Sequence, residues 1–320
     1  MKVGLGCVNL GSASAATTVA DQVRVVQAAI DAGVDVFDTA DAYGSGASER
    51  VLGRAIRGRR EALTIATKGG YAFRPRSAAE QRLRRCLGRV RDALPRPAPA
   101  SGSGPATGAQ YESQDFTPAA LRARVHASLR RLGVDHIDVY QLHAPRTVVP
   151  DLLGELDDLR RAGSIGRFGV GTESADSAVA WSSVPRVAVV QAPMGVLDAA
   201  NVARVVDAAS PHAVDVWARG VLGGGVLAAA MRRPEALTGE PKAPLIRELT
   251  AIAEQAGIGL DELALRWIAS VGGVAVTLIG MSSDVHLRRN LEILAKPALD
   301  PATMSRIAAA TGTRPTGEPA

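Results

Sequence analysis

The chain has 320 residues, of which 47% are hydrophobic and only 3% aromatic, so its core must consist mainly of Val, Leu, Ile and Ala. This length allows one large α/β barrel or two ordinary domains. The net charge of +5 raises the question of nucleic acid binding, but the one dense group of arginines, between positions 82 and 91, has helical spacing without interleaved aromatics. That pattern is typical of a solvated helix face, and we expect no nucleic acid partner.

The chain has two cysteines, Cys7 and Cys86, which are far apart and predict neither a disulfide framework nor a metal cluster. No two histidines have metal-ligand spacing, so we expect no metal. No apolar run reaches the length of a membrane-spanning helix, and the first residues do not resemble a signal peptide. We therefore expect a cytoplasmic protein without a membrane partner.

Eight short apolar runs, rich in β-branched residues, predict eight strands. In chain order they are Val3–Cys7, Val34–Asp38, Leu63–Lys68, Ile137–Leu142, Ile165–Val170, Val187–Ala192, Val214–Arg219 and Val274–Ile279.

Helical segments lie between these runs. Apolar residues recur at helical spacing from about Val19 to Ala32, and Gly33 ends that segment. Thr117 and Pro118 form an N-cap and a proline at the first helical position, which predicts a helix as far as Leu132. Repeated strand–helix units that no boundary interrupts favour an α/β fold of the (β/α)8 TIM barrel type. We expect one domain over residues 1–320 and not a doubly wound sheet.

One long segment, residues 74–116, interrupts the repeats after the third strand. An amphipathic basic helix is predicted at about residues 78–94, followed by a stretch rich in Pro, Gly and Ser at residues 95–105. Because the segment leaves the strand that ends at Lys68, we expect it beside the carboxyl ends of the strands. Long irregular loops of this kind are either lids over a site or segments without a function, and the sequence leaves both interpretations open.

Four polar residues lie at or just after the ends of predicted strands: Asp38, Tyr43, Lys68 and His143. In a parallel α/β barrel the carboxyl ends of the strands share one rim, where active sites form. A carboxylate, a phenol, an ammonium and an imidazole on that rim are a set suited to proton transfer. Taken singly, each has an ordinary alternative, such as a solvated lysine at a strand end or an aspartate that caps a turn.

The flanking sequences make this set more specific. The run Asp-Val-Phe-Asp-Thr-Ala-Asp-Ala-Tyr-Gly around Tyr43, followed by Ser-Glu-Arg-Val-Leu-Gly, resembles the signature of the aldo-keto reductase family. Ala-Thr-Lys-Gly at Lys68 and Tyr-Gln-Leu-His at His143 are similar to that family's lysine and histidine segments.

The resemblance implies a role for each of the four residues. Tyr43 would be the general acid that protonates a carbonyl oxygen as hydride arrives from a nicotinamide. A free phenol has a pKa near 10, so a neighbouring Lys68 ammonium, held by Asp38, is expected to lower the pKa of Tyr43. His143 would donate a hydrogen bond that orients the substrate carbonyl.

The resemblance also implies an NADP cofactor. Gly280, Ser282, Ser283 and the helix N-terminus that follows would hold the adenosine phosphate, and Arg288 with its neighbour Arg289 would favour a 2′-phosphate. A capped surface helix with spare arginines is the ordinary alternative for this segment.

At the nicotinamide end, Gln191 would hold the carboxamide, with Thr172 as a weak second contact. Arg219 would stack its guanidinium plane on the nicotinamide. The full set of implied cofactor contacts is Gly6, Cys7, Thr172, Gln191, Arg219, Gly280, Ser282, Ser283, Arg288 and Asn290.

The function expected from these patterns is an NADP-dependent reductase of an aldehyde or ketone, acting on a small-molecule carbonyl. A cofactor-bound regulatory subunit without catalysis on the same fold is the alternative. A hydrolase would need metal ligands or paired carboxylates, and neither is evident in the sequence.

Overall fold

The computed structural model describes residues 1–11, 18–72, 113–149, 152–232, 237–280 and 283–313. Its centre is a closed barrel of eight parallel strands. They are β1 (Lys2–Gly6), β2 (Val36–Asp38), β3 (Thr64–Gly69), β6 (Ile137–His143), β7 (Ile165–Gly171), β8 (Val189–Pro193), β9 (Asp215–Arg219) and β10 (Val274–Gly280). Around the barrel the order is β1, β10, β9, β8, β7, β6, β3, β2. Each of the eight predicted strands is confirmed, with ends that differ by at most two residues.

Eleven α-helices in the described residues surround the barrel. They are α1 (Val19–Asp31), α2 (Ala47–Ala55), α3 (Pro118–Leu132), α4 (Leu152–Arg161), α5 (Ala175–Ser182), α6 (Ala199–Ala209), α7 (Val226–Arg232), α8 (Ala243–Gln255), α9 (Leu260–Ser270), α10 (Asp284–Leu294) and α11 (Pro301–Thr311). None of these helices combines the length and the apolar character that crossing a membrane requires.

The start and the end of α3 are formed by the residues that the sequence predicts. The Thr117 hydroxyl accepts a hydrogen bond from the amide of Ala120, and the next residue, Pro118, opens α3. Gly133 ends α3 with φ +68°, the left-handed conformation that glycine adopts without strain. These local signals fix the direction in which α3 returns to the amino end of β6.

Side chains on the inner face of the barrel form a small core of their own. Its members are Val36, Ala66, Val139, Val189, Trp217, Val276 and Leu278. Because side chains alternate between the two faces of a strand, the inner position that follows each of these lies two residues further on. For five strands that position holds a polar residue: Asp38, Lys68, Gln141, Gln191 and Arg219. The strand period therefore directs these polar side chains inward, one layer above the apolar core.

Most of the segment that interrupts the repeats, with its predicted helix and linker, lies outside the described residues. Its last residues, 113–116, are described: β5 (Ser113–Gln114) pairs antiparallel with β4 (Tyr71–Ala72) at the end of β3. The amide of Asp115 donates to the Gly70 carbonyl at 2.8 Å. Gly70 has φ +143°, and a Cβ there would lie 2.3 Å from the Phe116 ring. The returning segment is thus packed directly on the rim, as expected from its place after Lys68.

Candidate active site

A buried ion pair lies at the carboxyl end of the barrel. The Lys68 ammonium donates to both carboxylate oxygens of Asp38, at 2.7 and 2.6 Å, and to the Thr39 carbonyl at 3.0 Å. Lys68 is 1% exposed and Asp38 is 4% exposed. Burial of a single charge here would be costly, so each residue requires the other.

Two glutamines complete the surroundings of Asp38. The side-chain amide of Gln191 donates to Asp38 Oδ1 at 2.9 Å, and that of Gln141 donates to the same atom at 3.2 Å. The amide oxygens of both glutamines are buried and have no hydrogen-bond partner among the described residues. Gly171 leaves room for this arrangement, since a Cβ there would lie 3.2 Å from the Lys68 side chain.

Tyr43 and His143 lie over this pair. Tyr43 stands in a short 3-10 turn, Tyr43–Ser45, which follows β2, and His143 is the last residue of β6. Their rings meet edge to face with centroids 5.7 Å apart, and the Lys68 ammonium lies 5.5 Å from the centre of the Tyr43 ring. The structure therefore brings all four predicted residues together on one rim.

The electrostatics of the two rings differ from each other. Burial, together with the nearby charges of Lys68 and Arg219, holds the pKa of His143 well below its ordinary value, so its imidazole is neutral. The pKa of Tyr43 is raised, first by burial and then by Asp38, while Arg219 acts in the opposite direction. The expected net lowering of the Tyr43 pKa is therefore not found in this structure, because loss of solvent outweighs the opposing positive charge.

A further network braces the turn that carries Tyr43. Asp41 is 1% exposed, and its amide donates to the Lys68 carbonyl at 2.9 Å. The Arg124 guanidinium from α3 approaches Asp41 Oδ2 at 3.4 Å and donates to the Tyr71 carbonyl at 2.6 Å. The Tyr71 ring in turn meets His143 edge to face at 4.8 Å between centroids. Arg124 thus links the Tyr43 turn to the residue that packs on His143.

Arg219 is held on the same rim by two contacts. Its guanidinium donates to the Thr172 carbonyl at 2.8 Å and pairs with Glu173 at 3.0 Å. Thr172 is fully buried, and its hydroxyl lies 3.2 Å from the carbonyls of Ser174 and Gln191. Thr172 therefore contributes its backbone more directly than its hydroxyl to the shape of the rim.

The predicted phosphate end lies at the start of α10. Ser283 caps this helix by accepting a hydrogen bond from the His286 amide, and among the described residues nothing lies within 4 Å of a Cβ built on Gly280. A cavity of about 540 Å³ lies between the start of α10 and α1; Ser283, Asp284 and Arg288 line one side, and α1 residues including Asp21, Arg24 and Asp31 line the other. Ser282 lies outside the described residues.

The two arginines predicted near this end are both paired with acids. Arg288 pairs with Asp284 one turn earlier at 2.8 Å, and Arg289 pairs with Asp261 of α9 at 2.7 Å. Only Arg288 lines the cavity beside Ser283. Each arginine thus has a carboxylate partner in this structure, and the role predicted for the two at a 2′-phosphate stays a prediction.

The remaining predicted cofactor residues occupy varied positions. Gly6 ends β1 and pairs in register with Gly280 and Asp38, which places it on the rim. Cys7 is buried, and burial raises the pKa of its thiol, which points to the Leu5 carbonyl at 3.6 Å. Asn290 lies on the buried side of α10. These three contacts stay predictions.

Sequence reasoning missed several residues around the site. Gln141 carries a usable signal, because it lies two residues before His143 in a buried strand and so shares its face. Tyr71 is one of only four tyrosines and follows Lys68 by three residues. Arg124 and Asp41 give no such signal, because their contact depends on how α3 packs beside the Tyr43 turn. Within the described part of the chain, no three residues of the His, Cys, Asp and Glu types are placed to hold a metal ion.

The sequence that forms this barrel and its rim matches the model of a known family. The chain belongs to the aldo/keto reductase family, whose sequence model matches residues 2–311.

Individual relatives agree with this assignment. Aldo-keto reductase YhdN of Bacillus subtilis (strain 168) is 25% identical over 317 residues, covering 91% of this chain and 84% of the relative. Aldo-keto reductase yakc [NADP(+)] of Schizosaccharomyces pombe is 26% identical over 327 residues, covering 95% and 86%. Among solved structures, the glycerol dehydrogenase of Gluconobacter oxydans superposes with a TM-score of 0.74 at 24% identity, covering 99% of this chain and 93% of that one.

Proposed function

We propose that this protein is an NADP-dependent reductase of an aldehyde or ketone, with Tyr43 as the general acid. The observation that carries the proposal is the edge-to-face contact of Tyr43 and His143 directly over the buried Lys68–Asp38 pair. Family membership supports the reaction class, and one relative in the family is named for NADP(+).

The residues present fit a nicotinamide cofactor. The buried Gln191 amide oxygen lacks a partner among the described residues, which suits it to accept from a carboxamide. No described residue crowds Gly280, and Ser283 with the first amides of α10 suits a phosphate group. When bound, the cofactor supplies the hydride.

The protein's own residues then bind the carbonyl oxygen and supply its proton. His143 is neutral, so it can donate one N–H to that oxygen without bringing a positive charge into the site. The raised pKa of Tyr43 keeps the proton on its phenol until negative charge develops on the carbonyl oxygen, which is then basic enough to take it. Lys68, held by Asp38, lies close enough to Tyr43 to stabilise the phenolate that results.

Replacement of Tyr43 by phenylalanine tests the proposal. Tyr43→Phe should lower kcat for carbonyl reduction by about 10² to 10⁴-fold, the usual contribution of a positioned acid, while NADPH binding is kept. Absorbance of the reduced nicotinamide across a panel of small aldehydes and ketones gives the rate, and cofactor fluorescence gives the affinity.

Tyr140→Phe is the matched control. It removes the same hydroxyl from a buried tyrosine of β6 that has no hydrogen-bond partner for that group among the described residues. Turnover by Tyr43→Phe close to that of Tyr140→Phe would contradict the assignment. A wild-type protein that binds NADPH but reduces no carbonyl would favour the regulatory alternative.

A further inference from the structure

A second cavity, of about 640 Å³, lies between α2 and α3, away from the tetrad formed by Asp38, Tyr43, Lys68 and His143. Its wall includes the loops that lead into β3 and β6, so it opens toward the amino ends of these strands, opposite the rim. We call it the arginine cleft, because six arginines line it: Arg50, Arg54, Arg57, Arg60, Arg130 and Arg131.

Two of these arginines, Arg60 and Arg131, form ion pairs with acidic residues of the fold. Arg60 donates to the carbonyls of Leu63 and His136 and pairs with Asp138 at 2.6 Å. Arg131 pairs with the fully buried Glu49 at 2.5 Å. These contacts fix the wall of the cleft and account for two of the six positive charges.

The other four arginines are not matched by carboxylates. Arg54, Arg57 and Arg130 are exposed and form no hydrogen bond or ion pair with any described residue. Arg50 is half-buried, and its guanidinium reaches only the Ser45 carbonyl, at 3.3 Å. Three acids line the cleft: Asp138 pairs with Arg60, whereas Glu61 and Asp135 pair with none of these arginines in the described structure.

Like charges are brought close together here. A Cβ built on Gly46 would lie 3.0 Å from Arg131 Nε and 3.5 Å from Arg50 Nη2, so the two guanidinium groups flank one point. Partial burial, and then the charge of Arg131, lower the pKa of Arg50; Glu49 acts in the opposite direction, and Arg54 adds a smaller lowering. An anion in the cleft would relieve this repulsion.

Compensation of helix dipoles explains only part of the cluster. The last turns of α2 and α3, which carry Arg54 and Arg130, end at the cleft, and each helix end amounts to about half a negative charge. Two such ends offset about one positive charge. Glu61 and Asp135 add negative charge to the wall without contacting these arginines, and a smaller net positive charge remains.

The layout of the arginines indicates the kind of anion. Arg50 and Arg54 lie one turn apart on α2, about 6 Å along the axis, and Arg57 extends the row beyond the helix end. Guanidinium groups bind phosphate oxygens through paired N–H donors, and a row of them fits several linked phosphates better than one. The volume of the cleft falls within the range of about 300–1,000 Å³ that small-molecule sites occupy.

We propose that the arginine cleft binds a small molecule that carries two or more phosphate groups, at a site separate from the reductase centre. The probe is inorganic tripolyphosphate, titrated into the full-length protein by isothermal calorimetry at an ionic strength of about 0.15 M, where weak surface attraction is screened. Saturable binding of one probe per chain is expected, with orthophosphate and citrate much weaker.

The double variant Arg54→Gln/Arg57→Gln should weaken tripolyphosphate binding by about tenfold or more, because two charge-assisted contacts are lost. The matched control, Arg247→Gln/Arg306→Gln, removes the same charge from α8 and α11, outside the cleft. It should leave the affinity within about twofold. Thermal melting of each variant without probe verifies that the fold is kept.

Three results would overturn the proposal. Equal weakening by both double variants would show general attraction to a basic protein. Citrate that binds as well as tripolyphosphate would exclude a phosphate site. Weakening by Arg288→Gln in place of the cleft variant would place the probe at the start of α10, beside Ser283.

Discussion

The tetrad and the start of α10, where the two ends of the cofactor are expected, differ in how firmly their side chains are held in place. At the tetrad, Asp38 accepts hydrogen bonds from Lys68, Gln141 and Gln191, and all are buried inside the barrel. At the start of α10, the Arg288 side chain is 71% exposed and pairs with an acid of its own helix. The buried network around Asp38 is therefore held in one geometry, whereas the exposed Arg288 side chain can exchange its carboxylate partner for another anion at little cost.

This difference follows from the elements that carry the residues. Strand residues of the barrel interior have their direction set by the strand period and their surroundings set by seven other strands. An exposed arginine on a helix has many rotamers and accepts whichever carboxylate is near. Substitutions should therefore have large effects at the tetrad and small effects at α10.

The largest effect is expected from Lys68→Met. It leaves the Asp38 carboxylate buried without a cation, which should cost about 3–5 kcal/mol of unfolding free energy and abolish carbonyl reduction. Urea denaturation and the rate of nicotinamide oxidation measure the two losses.

The double variant Asp38→Asn/Lys68→Met is the control for this prediction. It removes both charges, so it should recover much of the stability while remaining inactive. A double variant that is no more stable than Lys68→Met would contradict the view that the unpaired charge is what destabilises the protein.

The same distinction separates what the sequence predicted well from what it did not. The eight strands and the convergence of Asp38, Lys68 and His143 could be predicted because they depend on strand period and parallel topology. The pairing of Arg288 with Asp284 was open in the sequence, since a helix turn of this composition serves a phosphate or its own acid equally well. The contact of Arg124 with Asp41 depends on side chains from distant segments, which no local pattern encodes.

A smaller, pH-dependent effect is expected at Asp41. Burial and the neighbouring Glu49 raise its pKa to about 7, against the opposing charges of Arg124 and Arg131. Because the folded protein holds this proton more tightly than the unfolded chain, Asp41 stabilises the fold at acid pH. That contribution is lost as the pH rises from the ordinary value for Asp toward about 7.

Asp41→Asn removes this dependence. The unfolding free energy of the variant minus that of wild type should therefore increase as the pH is raised from 5 to 8, by on the order of a few kcal/mol. Urea denaturation at several pH values measures it, and Asp207→Asn on an exposed position of α6 is the control. A difference between Asp41→Asn and wild type that is the same at every pH would show that Asp41 does not titrate in this range.

The smallest effect is expected at the start of α10. Arg288 lines the cavity beside Ser283, but its positive charge is already shared with Asp284, and the side chain is largely solvated. Arg288→Gln should therefore weaken NADPH binding by only about two- to fivefold, the usual worth of an exposed charge pair, and leave NADH binding unchanged.

Arg289→Gln is the matched control, because Arg289 pairs with Asp261 and does not line that cavity. Fluorescence titration with both cofactors measures the affinities. A hundredfold loss of NADPH affinity in Arg288→Gln would contradict this prediction. It would mean that the contact of Arg288 with the cofactor phosphate is far stronger than expected for an exposed side chain, and the contrast with the tetrad would not hold.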